Sequence, residues 1–583
     1  MKIKMKNAIY LTGLFILIAS ITSCDKNFLE KKPLDEISSE IYFKKTADLR
    51  LYMNQFYQPH LLEYGGEGTD NYSQLIFLAD LNSDNMIDES FDERLNGTRV
   101  VPASGGGWNY DNVRAINYFF ENYKKCQDKF ESYQHFLGEA FFFRASIYYL
   151  LVQQFGDVQW YNKVLTTNSP ELYDARTPRN IVVDHIISDL DSAAMYLDVE
   201  SSDGGNRLNR GSALTLQSRV ALYEGTWEKY HAGTVFGVQN PDPQKYLNKA
   251  ASAASEVINS GQFAIYSTGK PDEDYFNLFD IHDYAGNSEV ILWKKFDKAL
   301  NIINYRMVLG EWPRGNGITK ALADSYLCND GLPIAVSPLF QGHNSLEEVS
   351  QNRDPRFKQT IFTQDAPYAF AGTVYADWNE GVYSKLFTDV TLSSPTCYIM
   401  RKGTTYDLSK QNYGGEDEPI ILFDYSEVLL NYAEAKAELG TITQADIDLS
   451  IKPLRDRVGM PNLVLASIVT DPNWEFPALS PIINEIRRER RVELACVGFR
   501  WNDIARWAAA DELIAGKRPK GSQFGSDFIP LSPYLDDANG FMDPFISQVP
   551  AGYAFDLGRD YLDPLPQSEL TLNDKLTQNP GWE

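Results

Sequence analysis

Glu489 and Glu493 stand one helical turn apart in Ile486-Arg-Arg-Glu-Arg-Arg-Val-Glu-Leu494. That spacing puts two carboxylates on one helix face, the minimum for a general acid and a general base. Arg487, Arg488, Arg490 and Arg491 flank them, with Glu485 a turn earlier. Neighbouring guanidinium groups keep carboxylates ionised and spoil a general acid, so the stretch reads as an ion-pair helix. The six His are scattered and none precedes Glu, so there is no HExxH zinc site. No GxxxxGK[ST] and no GxSxG occurs. A glycosidase asks only for two carboxylates about 5–10 Å apart, and 79 acidic residues leave that chemistry open at this point.

Binding chemistry is better represented. A sugar ring needs an aromatic face for its apolar side and Asn, Asp, Arg or Gln for its hydroxyls, carried on loops rather than in a helical core. The loop candidates are Trp108 and Tyr110 after the Gly105-Gly-Gly triplet, Trp312 with Arg314 and Asn316, and Tyr375, Trp378, Asn379 and Tyr383. Asp80, Asn82, Asp84 and Asn85 offer polar contacts. No cofactor is expected. Asp272-Glu-Asp274 and Glu416-Asp-Glu418 have the oxygen chemistry of a structural calcium site, but no EF-hand spacing is present; a solvated acidic loop is the expectation. Cys126, Cys328, Cys397 and Cys496 are far apart with no CxxC, so one or two disulfides are allowed and no metal knuckle is.

These residues must be positioned by the rest of a 583-residue chain with 54 basic and 79 acidic side chains, a net charge of −25. Such a surface repels a polyanion, which excludes nucleic-acid binding by bulk charge. Lys2, Lys4 and Lys6 precede a mostly apolar stretch, Ala8–Ile21, too short to span a bilayer comfortably; it reads as an export signal. The stretch ends Ile21-Thr-Ser-Cys24, a lipobox pattern, so residues 1–23 are read as a lipoprotein signal peptide and Cys24 as the lipidated residue. Residues 24–44 are a polar tether. From 45 to 583 the chain reads as one mainly α-helical domain.

Apolar residues at three- and four-residue spacing predict helices over Asp111–Gln127, Tyr133–Gln154, Pro178–Leu197, Gly211–Trp227 and Gln244–Ser260. A second group covers Asp424–Leu439, Gln444–Val458, Ile482–Val497 and Phe499–Ala509, and Thr46 is expected to cap an earlier helix. Helix pairs of this length, at about 111–260 and 424–509, resemble tetratricopeptide repeats of about 34 residues. The expected architecture is a tetratricopeptide-repeat-like helical solenoid. Long irregular insertions, about 63–110 and 262–420, form its binding face.

Several segments together resemble the SusD/RagB family of surface lipoproteins. They are Gly138-Glu-Ala-Phe-Phe-Phe-Arg-Ala145 running to Phe155-Gly-Asp-Val158, with Gln159 where Pro is usual; Arg176-Thr-Pro-Arg179 with Ile187-Ser-Asp-Leu-Asp191; and Arg210-Gly-Ser-Ala213 to Ser218-Arg-Val-Ala-Leu-Tyr223. The Arg/Glu helix with Gly498-Phe-Arg-Trp-Asn-Asp503, Tyr561-Leu-Asp-Pro-Leu-Pro566 and Gln578-Asn-Pro-Gly-Trp582 completes the set in the expected order. Cys496-Val497 stands where Phe-Glu is usual before Gly498, which puts one local salt bridge in doubt. The resemblance implies a non-catalytic nutrient-binding protein at the outer membrane, lipid-anchored at Cys24 and facing the cell exterior. Its partners would be an oligosaccharide, or alternatively a peptide, and a TonB-dependent SusC-like transporter. A purely protein-binding scaffold and a surface glycosidase are the alternatives. In the family, ligand residues come from the loop before the second long helix and from the later insertion; some relatives hold calcium.

Overall fold

The computed structural model describes residues 42–57, 78–200, 202–300, 302, 316–370, 373–375, 394–410, 417–523 and 535–583. Cys24, Trp312, Arg314, Trp378, Asn379, Tyr383 and Glu416 lie outside them. So does the side chain of Tyr375, which closes a short hairpin strand.

The first half is a helical array: α1 (Thr46–Asn54), α2 (Asp111–Asn122), α3 (Phe130–Phe155), α4 (Arg179–Tyr196), α5 (Arg210–Tyr230) and α6 (Pro243–Asn259). Consecutive helices from α2 to α6 pack on one another, as in a solenoid. Local chemistry sets several starts. Asn209 accepts from the Ser212 amide at 2.9 Å to open α5, and Asp242 accepts from the Lys245 amide at 3.1 Å to open α6. The α1 start differs from expectation: Lys45 is the cap, and Asp48 accepts the Lys44 and Lys45 amides. The Thr46 hydroxyl donates instead to Asp128 at 2.8 Å.

The chain returns to this array through β1 (Met86–Ile87) with β3 (Gly317–Ile318), and β2 (Val290–Lys294) with β4 (Ile420–Asp424), both antiparallel. Helix α7 (Lys320–Ser325) follows β3, and α8 (Tyr425–Glu438) follows β4 directly, capped by Asp424 accepting from the Glu427 amide. Helix α8 packs on α5 and α6, then on α9 (Gln444–Arg457) and α10 (Pro481–Glu493); α11 (Arg500–Arg506) packs on α5. The 262–420 insertion is less irregular than its composition implied. Tyr275, Trp293, Ile318, Tyr326, Phe357 and Tyr398 form a second hydrophobic core beneath it.

Close packing depends on small residues. Gly138 sits inside α3 where a Cβ would come within 2.8 Å of the Leu197 amide nitrogen and 2.9 Å of its Cγ. Gly138→Ala should therefore lower stability by about 1–3 kcal/mol in urea unfolding, although alanine favours the helix by about 1 kcal/mol. An alanine variant as stable as the parent would show that α3 and the 196–197 turn can separate freely.

The arginine helix is the hub of the second half. Its charged side chains reach α8, α9, α11, the insertion and the Asp84 loop. Arg487 meets Glu438 of α8 at 3.2 Å, and Arg490 meets Asp503 of α11 at 2.8 Å. Arg491 meets Asp84 at 2.9 Å. Glu489 pairs with Arg455 of α9 at 2.8 Å and with Arg356 at 2.6 Å. Glu493 pairs with Arg457 at 2.5 Å and Arg356 at 2.9 Å. Asp80 explains why α10 stops at Glu493 instead of reaching Val497. It is fully buried and accepts from the Cys496 amide at 2.8 Å and the Gly498 amide at 3.0 Å, holding Cys496 at φ 67°.

The family-like segments of the first half converge with the tail. Arg176 donates to Asn579 at 2.7 Å, Asn579 donates to the Phe155 carbonyl at 3.0 Å, and the Arg179 amide donates to Asp157 at 2.8 Å. Trp582 lies under the guanidinium groups of Arg99 and Arg559, and its indole donates to the Leu562 carbonyl at 3.2 Å. The four cysteines from Cys126 to Cys496 are unpaired, so the allowed disulfides do not form.

Candidate functional site

Four stretches distant in sequence, 84–85, 317–320, 396–398 and 520–522, meet beside α7. The Thr319 amide donates to the Asn85 carbonyl at 2.9 Å and its hydroxyl to the Asp84 carbonyl at 2.6 Å. The Ile318 amide donates to the Tyr398 carbonyl at 2.9 Å. The Ser522 amide donates to the Thr396 carbonyl at 2.8 Å, and the Lys320 amide to the Lys520 carbonyl at 2.7 Å. Gly317 is required here, because a Cβ would fall 2.2 Å from the Thr396 hydroxyl. The sequence candidates Asp84, Asn85 and Asn316 are thus brought to one edge of the fold, with Asn85 and Asn316 buried.

Next to this junction is a cleft of about 360 Å³ between α7, the 471–476 connector and one side of α10. Lys320 and Asp324 of α7, Asn473 and Trp474 of the connector, and Arg488 and Arg491 of α10 line it. Trp474 is half-buried and Asn473 exposed. The connector is held in shape by Asp471, which accepts from the Asn473 amide at 2.8 Å and pairs with Arg488; Arg488 also reaches Glu485 at 3.0 Å. Glu475 bridges Arg491 and Arg500, and Asp84 takes Arg500 at 2.6 Å. The arginines beside Asp84 hold its carboxyl down at about 2, and those beside Glu475 lower its carboxyl too, so both stay charged. Lys320 pairs with Asp324 and lies 4.7 Å over the Phe541 ring. The cleft walls therefore carry internally neutralised ion pairs and one indole. That combination offers donors and acceptors to hydroxyl groups without demanding a charged ligand.

The other sequence candidates fall elsewhere. Trp108 is 9% exposed, edge-on to Phe155 at 5.0 Å and to Tyr110 at 5.6 Å. Its faces are taken by the core, so it anchors the start of α2 and is corrected from stacking residue to packing residue. Tyr110 lines a separate cavity of about 270 Å³ with Arg114, Asn117, Tyr161 and Leu172. Its hydroxyl accepts from the Gln159 amide at 3.1 Å, and burial pushes its pKa well above the usual value. Asp80 is a buried clamp and no ligand contact, while Asn82 is half-buried beside it. Asp274, of the acidic stretch read for calcium, spends its oxygens on Ser267, Thr268 and Lys270 donors. Among the described residues no group of three His, Cys, Asp or Glu could hold a metal ion.

Glu489 and Glu493 cannot serve as a general acid. The arginines beside Glu489 hold its carboxyl down at about 2, and those beside Glu493 hold it below the ordinary value. Trp474 and Asn473 escaped the sequence reading because they lie in a connector between two helices. A tryptophan after Asp471-Pro-Asn473, outside any helical period, was the available signal.

Comparison with known proteins agrees with this architecture. Residues 309–582 match the SusD family model, and residues 27–222 match a model described as starch-binding associating with outer membrane. A SusD-like protein P2 of Formosa agariphila is 24% identical, over 98% of this chain and 99% of its own length. A SusD-like carbohydrate binding protein from Bacteroides fragilis superposes with a TM-score of 0.69 at 22% identity, covering 92% of this chain and 99% of its own. A laminarin binding SusD-like protein gives a TM-score of 0.56 at 19% identity, over 92% and 100% of the two chains.

Proposed function

This chain belongs to the SusD/RagB family, and from that premise we propose that it captures an oligosaccharide at the outer membrane and hands it to a TonB-dependent SusC-like transporter. In this reading Cys24 carries the lipid anchor, the protein faces the cell exterior, and the cleft beside α7 holds the sugar. The observation that supports the cleft is Trp474, a half-exposed indole on a connector braced by Asp471 and Arg488, opposite the polar wall of α7. The carbohydrate-binding and laminarin-binding relatives support a glycan over a peptide. No step of catalysis is assigned, because the paired carboxylates of α10 are locked to arginines.

Stacking a sugar on Trp474 removes apolar surface from water at ~25 cal/mol per Å², worth about 1–2 kcal/mol for one ring. Trp474→Ala should weaken binding of malto- or laminari-oligosaccharides roughly five- to thirtyfold in calorimetry. Its unfolding midpoint should stay that of the parent. Unchanged affinity in a variant that still binds would move the sugar out of this cleft. Release of shortened oligosaccharides during the titration would instead make the protein a glycosidase.

A further inference from the structure

We propose that the face built from residues 42–45 and 122–130 is a docking surface for a bilayer with anionic headgroups. It extends the outer-membrane reading above and rests on it. The two stretches are one surface: the Gln127 amide donates to the Lys44 carbonyl at 2.9 Å, and Asp128 accepts from both the amide and the hydroxyl of Thr46. Phe43 pins the same junction, 5.8 Å from the Tyr118 ring and 6.2 Å from Phe119.

The charge of this face opposes that of the molecule. Residues 42–57 and 122–131 carry six basic and three acidic side chains, in a chain with a large acidic excess. Lys45, Lys124 and Lys129 are exposed, and with half-buried Lys44 they enter no ion pair among the described residues. Two of the three acids are committed to backbone donors, Asp48 to Lys44 and Lys45, Asp128 to Thr46.

Two of these lysines sit where helices disfavour them. Lys45 is the N-cap of α1 and Lys129 the N-cap of α3. Helix starts prefer Ser, Thr, Asp or Asn and are destabilised by a nearby cation. Neither charge helps the helix that it begins, which points to a partner outside the fold. Beside them Phe130 is 38% exposed, an apolar ring at the edge of a cationic patch. Cations around an exposed aromatic ring match the headgroup region of a membrane.

Position selects the bilayer among anionic partners. Residue 42 is where the described chain begins, 18 residues after Cys24. In the lipid-anchored reading those 18 residues reach at most about 60 Å, which keeps this face within range of the bilayer. Each lysine near an anionic surface adds to binding, and the effect falls off within a Debye length.

The test uses the mature chain, residues 24–583, with Cys24→Ser so that no acyl group contributes. Flotation with phosphatidylcholine vesicles is compared with vesicles containing phosphatidylglycerol, at low and high salt. The expected result is binding to the anionic vesicles only, lost at high salt. Lys45→Gln/Lys124→Gln/Lys129→Gln should reduce it at least ~tenfold, and Phe130→Ser should reduce it with the salt dependence retained. Lys298→Gln/Lys452→Gln/Lys575→Gln, a triple change elsewhere on the surface, should bind as the parent does. Equal binding to neutral vesicles, an unaffected patch variant, or an equal loss in the control triple overturns the proposal. Retention by dextran sulfate with no vesicle binding overturns it in favour of a soluble polyanion. Circular dichroism of each variant confirms the fold, and oligosaccharide affinity, read separately, tests the cleft and not this face.

Discussion

Glu493→Ala should cost about 3–5 kcal/mol of stability in urea unfolding. Glu493 is buried and compensates Arg457 and Arg356 at once, at 2.5 and 2.9 Å. Arg356 is one of the largest fully buried side chains, and Arg457 reaches Glu289 at 3.2 Å as well. Removing the carboxylate takes a counter-charge from both guanidinium groups; Arg356 keeps Asp354 and Glu489, so the cost falls chiefly on Arg457, left with Glu289 alone in a low-dielectric interior. Replacing Glu493 with Gln keeps the shape and part of the hydrogen bonding, so it should cost less than Ala. The folded fraction should bind oligosaccharide normally, because Glu493 faces α9 and the insertion core and does not line the cleft. A loss of affinity without loss of stability would reassign the arginine helix from scaffold to site.

The second large effect is acid sensitivity. The arginines around Glu489, Glu434 and Asp84 hold each carboxyl at about 2 in the folded protein, against ordinary values of 4.5, 4.5 and 3.8. A depressed folded value means the native state releases these protons more readily than the unfolded chain. Their stabilisation is therefore complete above the ordinary carboxylate range and disappears as pH falls from about 4.5 towards 2. Glu489 alone accounts for on the order of 3 kcal/mol of it. Glu228 has the opposite sign: burial beside Glu224 pushes it up to about 7. Its contribution is complete below 4.5 and is lost as pH rises through about 7. The urea midpoint should fall steeply on the acid side and gently towards neutral and alkaline pH. A midpoint that does not change between pH 6 and 3 would mean that the α10 pairs do not hold the fold.

The sequence carried the scaffold well because helices write their burial in a 3.6-residue period. Each helix expected from α2 to α11 is present, with ends moved by a few residues. Those shifts have local causes that no periodicity contains: Asp80, more than four hundred positions away, catches the amides after Glu493, and Asp48 opens α1 one residue early. The site was less legible. Trp108 lies in an irregular stretch, yet it is buried, because the first turn of α2 must be sealed against Phe155. Asp84 and Asn85 are polar loop residues, yet they serve Arg500 and Arg491. Trp474 lies between helices, outside any helical period. Whether a loop aromatic faces water or core is decided by residues distant in sequence, and a single chain read locally does not contain that information.

Hydrogen–deuterium exchange of the mature chain with and without a bound malto- or laminari-oligosaccharide reads the sugar site without assuming it. Ligand protection is expected at the amides of 320–325 and 471–476, the two walls of the cleft, with the buried helices α3 and α5 unchanged. Protection confined to α2 and residues 159–172, around Tyr110, would contradict it and place the sugar in the other cavity.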